Sequence, residues 1–243
     1  MAISFNNETR TFHLKGKDIS YVFFINDAGY PEHLYLGPTI GYDDIRYSRA
    51  SGGSSTDATP PGADDTPSYN SYPSELSFFG TGDYREPAVL PVNKAGDRLC
   101  QLLFDSFDVV GEKPGISGMP SLDGGETLIL RLKDEISGFA ADLYYTVYDD
   151  CSVIARRAVF KNNGKDSIRL ERAYSFTLAL PDHDYELLSL YGVWAKERHI
   201  DRIPLHHGVV SIDSKRTTSS ATLNPFIALL RPNTTETQGE AIG

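Results

Sequence analysis

Three clusters in this 243-residue chain carry residue types able to bind or activate a polar substrate. Tyr42-Asp43-Asp44-Ile45-Arg46-Tyr47 combines carboxylates, a guanidinium and two rings; Asp43 or Asp44 can accept hydroxyl hydrogen bonds while Arg46 fixes the segment. Asp182, Asp184 and Glu186 surround His183, and Asp83-Tyr84-Arg85 forms a second polar trio. Acid/base cleavage of a glycosidic bond needs two carboxylates roughly 5–10 Å apart, a separation that sequence does not fix. The Pro181-Asp182-His183-Asp184-Tyr185 run also reads as a polar turn, and Asp83 with Arg85 as a buried ion pair holding a loop. Trp194, the sole tryptophan, stands in Gly192-Val193-Trp194-Ala195-Lys196-Glu197-Arg198-His199, where it could stack on a pyranose ring or serve as a core or interface anchor.

Other chemistries lack their sequence requirements. His206-His207 are adjacent, so in a strand their rings point to opposite faces and cannot readily share a metal. Cys100 and Cys151 have no CxxC partner and read most simply as reduced residues. Gly80-Thr81-Gly82 and Gly124-Gly125 lack the strand-to-helix context of a phosphate loop. A net charge of −10 disfavours nucleic acid as a partner and is compatible with a neutral sugar. No apolar run approaches the roughly 20 residues of a membrane span, and the N-terminus lacks a signal pattern, so a cytoplasmic location is expected.

The elements that must position these residues read as strands. In Thr127–Lys133, Leu128, Leu130 and Leu132 share one face while Arg131 and Lys133 take the other. Ser167–Leu180 shows a longer alternation, with Arg172 as a misfit on the apolar side that would need a carboxylate. Further strands are expected at 20–25, 33–36, 142–148, 153–161, 187–190, 209–214 and 225–230. Asn162-Asn163-Gly164, Asp123-Gly124-Gly125 and the 26–31 segment supply the intervening turns. Two packed antiparallel sheets in a single domain follow, interrupted by a Ser/Gly/Pro-rich loop at about 48–77. Gly239–Gly243 reads as the start of one more strand, so the chain is expected to continue.

Several runs fall in an order known from one family: Ile19–Phe23, His33–Gly37, Gly80–Ala88, Lys113–Pro120, Glu126–Leu128, Tyr145–Tyr148, Trp194–Arg198, Ser219-Ser220, Asn224–Phe226 and Gly239-Glu240. On these the chain resembles the N-terminal β-supersandwich domain, galactose-mutarotase-like, of glycoside hydrolase family 36 α-galactosidases. It departs from the family at Lys215-Arg216-Thr217-Thr218-Ser219-Ser220-Ala221, since the family places an Arg-Gly pair before the two serines and a His after them, and in the 48–77 loop. The resemblance implies a catalytic (β/α)8 barrel and a C-terminal domain beyond this chain, and both catalytic Asp residues outside it. It also implies retaining hydrolysis of terminal α-galactosides of the raffinose or melibiose type, without metal or nucleotide cofactor. The expected partners are the barrel of the same polypeptide, further copies in a homo-oligomer, and the α-galactoside. Asp43, Asp44, Arg46 and Trp194 are the expected sugar-contacting residues, and no catalytic residue is expected here. A free-standing carbohydrate-binding or oligomerisation sandwich is the alternative.

Overall fold

The computed structural model describes residues 2–41, 44–49, 72–80, 82–119, 121–182, 184–216 and 221–243. They form two compact units, Met1–Ala179 and Leu180–Gly243. Among the described residues the one helical segment is a 3-10 turn at Arg46–Ser48, and every ladder between named strands is antiparallel. The all-β expectation therefore holds. No helix of the described residues is long and apolar enough to cross a membrane.

In the first unit, β1 (Ile3–Asn6), β2 (Thr11–Lys15), β3 (Ile19–Ile25) and β4 (Pro31–Pro38) form a sheet in chain order. After the short β5 (Val89–Val92), a second sheet runs β6 (Leu103–Val110), β7 (Glu126–Lys133), β8 (Phe139–Val147), β9 (Ile154–Asn162), again in order. Alternation turns one face of each toward a shared core of Phe12, Leu14, Tyr21, Phe23, Leu128, Leu130, Leu143 and Tyr145, while His13, Val22 and Phe24 are buried on the other face of β2 and β3. Aromatic rings lock the layers together. Phe12 meets Phe107 edge-on at 5.0 Å between ring centres, and Phe23 stacks on Tyr145 at 5.2 Å.

Turn chemistry sets the registers. Gly124 and Gly125 both adopt positive φ, and a Cβ on Gly125 would lie 2.9 Å from the Val147 carbonyl oxygen, so only glycine fits the approach to β7. At the β3–β4 turn the Asn26 Oδ1 accepts the Tyr30 N–H at 3.0 Å, a side chain standing in for backbone.

Two expected strands differ. The long alternation at 167–180 yields only β10 (Arg169–Ala173), which pairs with β5 alone. Beyond it the backbone bonds elsewhere: the Tyr174 N–H donates to the Ala88 carbonyl, and the Thr177 carbonyl accepts from Arg156 at 2.8 Å. Ile168 and Leu178 pack against the core, but Leu170, Tyr174 and Phe176 are exposed, so the apolar face is not one continuous core face. The expected strand at 209–214 is irregular, because Val209 is exposed and no ladder partner is present among the described residues.

The second unit is one sheet of order β12-β11-β13-β14, with β11 (Glu186–Val193), β12 (Lys196–Pro204), β13 (Leu223–Leu230) and β14 (Ala241–Ile242). The charged β12 forms one edge, where Lys196, Arg198 and Arg202 discourage pairing with another chain.

Candidate functional site

The segment leaving β4 begins the candidate site. Arg46 grips Asp44 with two hydrogen bonds, Nε to Oδ1 at 2.8 Å and Nη2 to Oδ2 at 3.2 Å. Hydrogen bonding from Arg46, outweighing slight burial, holds the Asp44 carboxyl below its usual range, so it stays ionised near neutrality. Both groups remain more than a third exposed, and the free lone pairs of Asp44 can accept ligand hydroxyls. Asp43, the neighbouring candidate, lies outside the described residues. Three residues past Arg46, Arg49 donates Nε and Nη2 to the buried Glu32 carboxylate at 2.9 and 3.0 Å while lying over the Phe24 ring. That clamp fixes one foot of the long insertion.

The other foot lies deeper. The end of the expected loop, from Tyr72 to Phe78, is buried in the sandwich, and it carries Glu75 with no exposed surface. The Glu75 carboxylate accepts from the Tyr21 hydroxyl at 2.7 Å, the Tyr145 hydroxyl at 2.8 Å and His33 Nδ1 at 2.9 Å, and Arg156 Nη2 lies 2.9 Å from Oε2. Arg156 also donates to the Tyr21 hydroxyl at 2.8 Å and sits 4.4 Å over the Tyr145 ring. Burial alone would raise the Glu75 pKa, but the charges and hydrogen bonds of Arg156 and His33 outweigh it and lower it. Burial pushes the Tyr21 and Tyr145 hydroxyls well up against the opposing field of Arg156. The result is one ion pair, fully hydrogen-bonded, that ties the insertion's return to strands of both sheets.

The remaining sequence candidates resolve individually. Trp194 sits at the β11–β12 hairpin tip with 87% of its surface exposed, so it belongs to no core of this chain, and it lies in the other compact unit from Asp44 and Arg46. Ala195 beside it adopts a left-handed φ of 63°. Asp83 and Arg85 form a bidentate pair at 2.9 Å, and Arg85 Nη2 donates to the Tyr72 carbonyl at 2.7 Å, so this trio holds a loop while Tyr84 stays exposed. Arg231 ties the 182–185 turn down, with Nη1 at 2.6 Å from Asp182 Oδ1 and 3.1 Å from the Asp184 carbonyl, while Glu186 pairs with Arg202. His183 lies outside the described residues. Arg172 does find its carboxylate, Glu86. Both cysteines are free, and no group of three or more metal-ligating side chains occurs among the described residues.

Sequence reading missed the Glu75 cluster altogether. Its one signal was a lone glutamate amid the apolar Tyr72, Leu76 and Phe78 at the end of a polar loop, with Arg156 inside a strand where apolar residues alternate.

This architecture defines an antiparallel β-sandwich whose buried ion pairs anchor an inserted segment. A sequence model of the Glycosyl hydrolase family 36 N-terminal domain matches residues 29–243, and the chain belongs to that family. It is 36% identical over 99% of its length to alpha-galactosidase Mel36A of Lactobacillus acidophilus, covering 34% of that protein. The crystal structure of α-galactosidase AgaB from Geobacillus stearothermophilus superposes with a TM-score of 0.90 at 34% identity, over 99% of this chain and 34% of that one. A variant of AgaA from the same organism, solved in complex with raffinose, gives a TM-score of 0.90 at 33% identity, over 95% of this chain and 33% of that one. The chain thus spans about a third of the length of the relatives it matches.

Proposed function

We propose that this chain is the non-catalytic N-terminal domain of a cytoplasmic α-galactosidase that releases terminal α-galactose from raffinose-type or melibiose-type sugars with retention. The observation that carries the reading is the near-complete superposition on a family 36 α-galactosidase at 34% identity. In this reading the two units together form one domain that supports a barrel in the same polypeptide and a homo-oligomer. The barrel supplies both catalytic carboxylates, and no metal or nucleotide cofactor takes part.

The Asp43–Arg46 segment is the domain's contribution to substrate. The Asp44–Arg46 pair and the Arg49–Glu32 clamp three residues further on support that role, because a segment that lends hydrogen bonds to a neighbouring pocket must leave its own domain from a fixed point. In the full-length parent, Asp43→Asn combined with Asp44→Asn is expected to raise KM for raffinose several-fold with a smaller change in kcat. Unchanged KM and kcat would remove the arm from the substrate account. The exposed Trp194 favours a second reading, a carbohydrate-binding sandwich that stacks a pyranose on its indole. Calorimetric titration of the chain with galactose separates the two: the domain reading expects no heat above dilution, the binding reading a saturable heat abolished by Trp194→Ala.

A further inference from the structure

A cleft of about 570 Å³ opens on the outer face of the second sheet, between the Lys113–Met119 segment with Ser121 and β8–β9. Its walls are Pro114, Ile116, Met119, Ala155 and Val159, and its polar groups are Lys113, Ser121, Tyr144, Arg157 and Ser175. The volume is that of an ordinary small-molecule site. Its charge is unusual for the molecule: the chain carries 33 Asp and Glu residues, yet none lines this cleft. Lys113 and Arg157 both line it, and neither has an ion-pair partner among the described residues. Arg156, which also contributes to the wall, has its guanidinium committed to Glu75.

Arg157 is held in place by its own strand partner. The two are cross-strand neighbours, and the guanidinium carbon lies 4.0 Å from the Tyr144 ring centre. A cation–π contact holds the guanidinium against the ring, and no hydrogen bond from its N–H groups occurs among the described residues, so they can take an acceptor. The contact also occupies one face of the Tyr144 ring, which a neutral sugar would otherwise use for stacking. A planar donor held against a ring, a second cation and hydroxyl groups, beside apolar walls, match a small anion with an organic body.

We propose that this cleft binds a small oxyanion ligand of monosaccharide size, phosphorylated or carboxylated, with Arg157 as the bidentate anchor and Lys113 as the second charge. The site is separate from the Asp44–Arg46 arm and does not depend on what that arm contacts.

Calorimetric titration of the 243-residue chain tests it with galactose 1-phosphate, galacturonate, inorganic phosphate and galactose. At least one of the two sugar anions is expected to bind saturably, more tightly than inorganic phosphate, with galactose giving no heat in this cleft; which of them binds distinguishes phosphate from carboxylate. Arg157→Gln is expected to weaken binding at least tenfold, and Lys113→Gln three- to tenfold, without loss of strand circular dichroism. If Arg157→Gln does not fold, Lys113→Gln, on the exposed loop, carries the test alone. Absence of binding by both sugar anions, or affinities unchanged in the folded variants, would overturn the proposal.

Discussion

Replacing Glu75 by Gln keeps the shape of the side chain but removes the charge that Arg156 and His33 face. Breaking one partner of a buried ion pair typically costs about 3–5 kcal/mol, and Glu75→Gln or Arg156→Met is expected to lose that much in urea denaturation. A loss under 1 kcal/mol for both would show that the cluster is not a structural anchor. The same cluster dictates a pH profile. The Glu75 carboxyl titrates lower in the fold than its ordinary 4.5, so its contribution is full above that value and drains as pH falls below it. The Tyr21 and Tyr145 hydroxyls titrate above their ordinary 10.0, so their contribution is full below that value and drains as pH rises past it. Stability followed by thermal melting is therefore expected to plateau between these limits, and Glu75→Gln to flatten the acid edge. An acid edge of the same steepness in Glu75→Gln would assign it to other carboxylates.

Among the elements, the β11–β12 hairpin is the most constrained by sequence. A Cβ on Gly192 would lie 2.3 Å from the Lys196 carbonyl oxygen and 2.8 Å from Glu197 Cα, both backbone atoms with little room to yield. Gly192→Ala is expected to destabilise the second unit by about 1–3 kcal/mol through overpacking, while Ala195→Gly, which relieves a left-handed alanine, is expected to be neutral or stabilising. Equal melting behaviour of Gly192→Ala and the unmodified chain would contradict this packing. The same hairpin shows what sequence could and could not convey. β7 and β8 were legible because Leu128, Leu130 and Leu132 alternate cleanly into a core. β12 was not, because an exposed edge strand such as Lys196–Pro204 has no apolar face to display. In β6 a register shift between Phe104 and Ser106 breaks the alternation, and β5 carries Pro91, which only a strand with a free edge tolerates. The apparent strand at 167–180 failed for the converse reason: Ile168 and Leu178 pack against the core, while Leu170, Tyr174 and Phe176 between them stay exposed, so the alternation does not mark one continuous buried face.

At the scale of the whole molecule, ordered short motifs were enough to indicate the family, and the structure gives several of them physical jobs. Gly80–Ala88 contains the Asp83–Arg85 pair that ties down Tyr72, Glu126 accepts the Ile3 N–H at 2.7 Å, and Lys113, Pro114, Ile116 and Met119 line the basic cleft. Asp44 and Arg46 were legible as a pair because they are two residues apart; Glu75 and Arg156 were not, because 81 residues separate them in sequence. The central claim, that this domain supports catalysis without performing it, is tested most directly by following melibiose by proton NMR. The 243-residue chain is expected to release no galactose, whereas a longer polypeptide carrying the proposed barrel is expected to release α-galactose first, the anomer that retention requires. Turnover by the 243-residue chain alone, or no turnover by the longer polypeptide, would contradict the account.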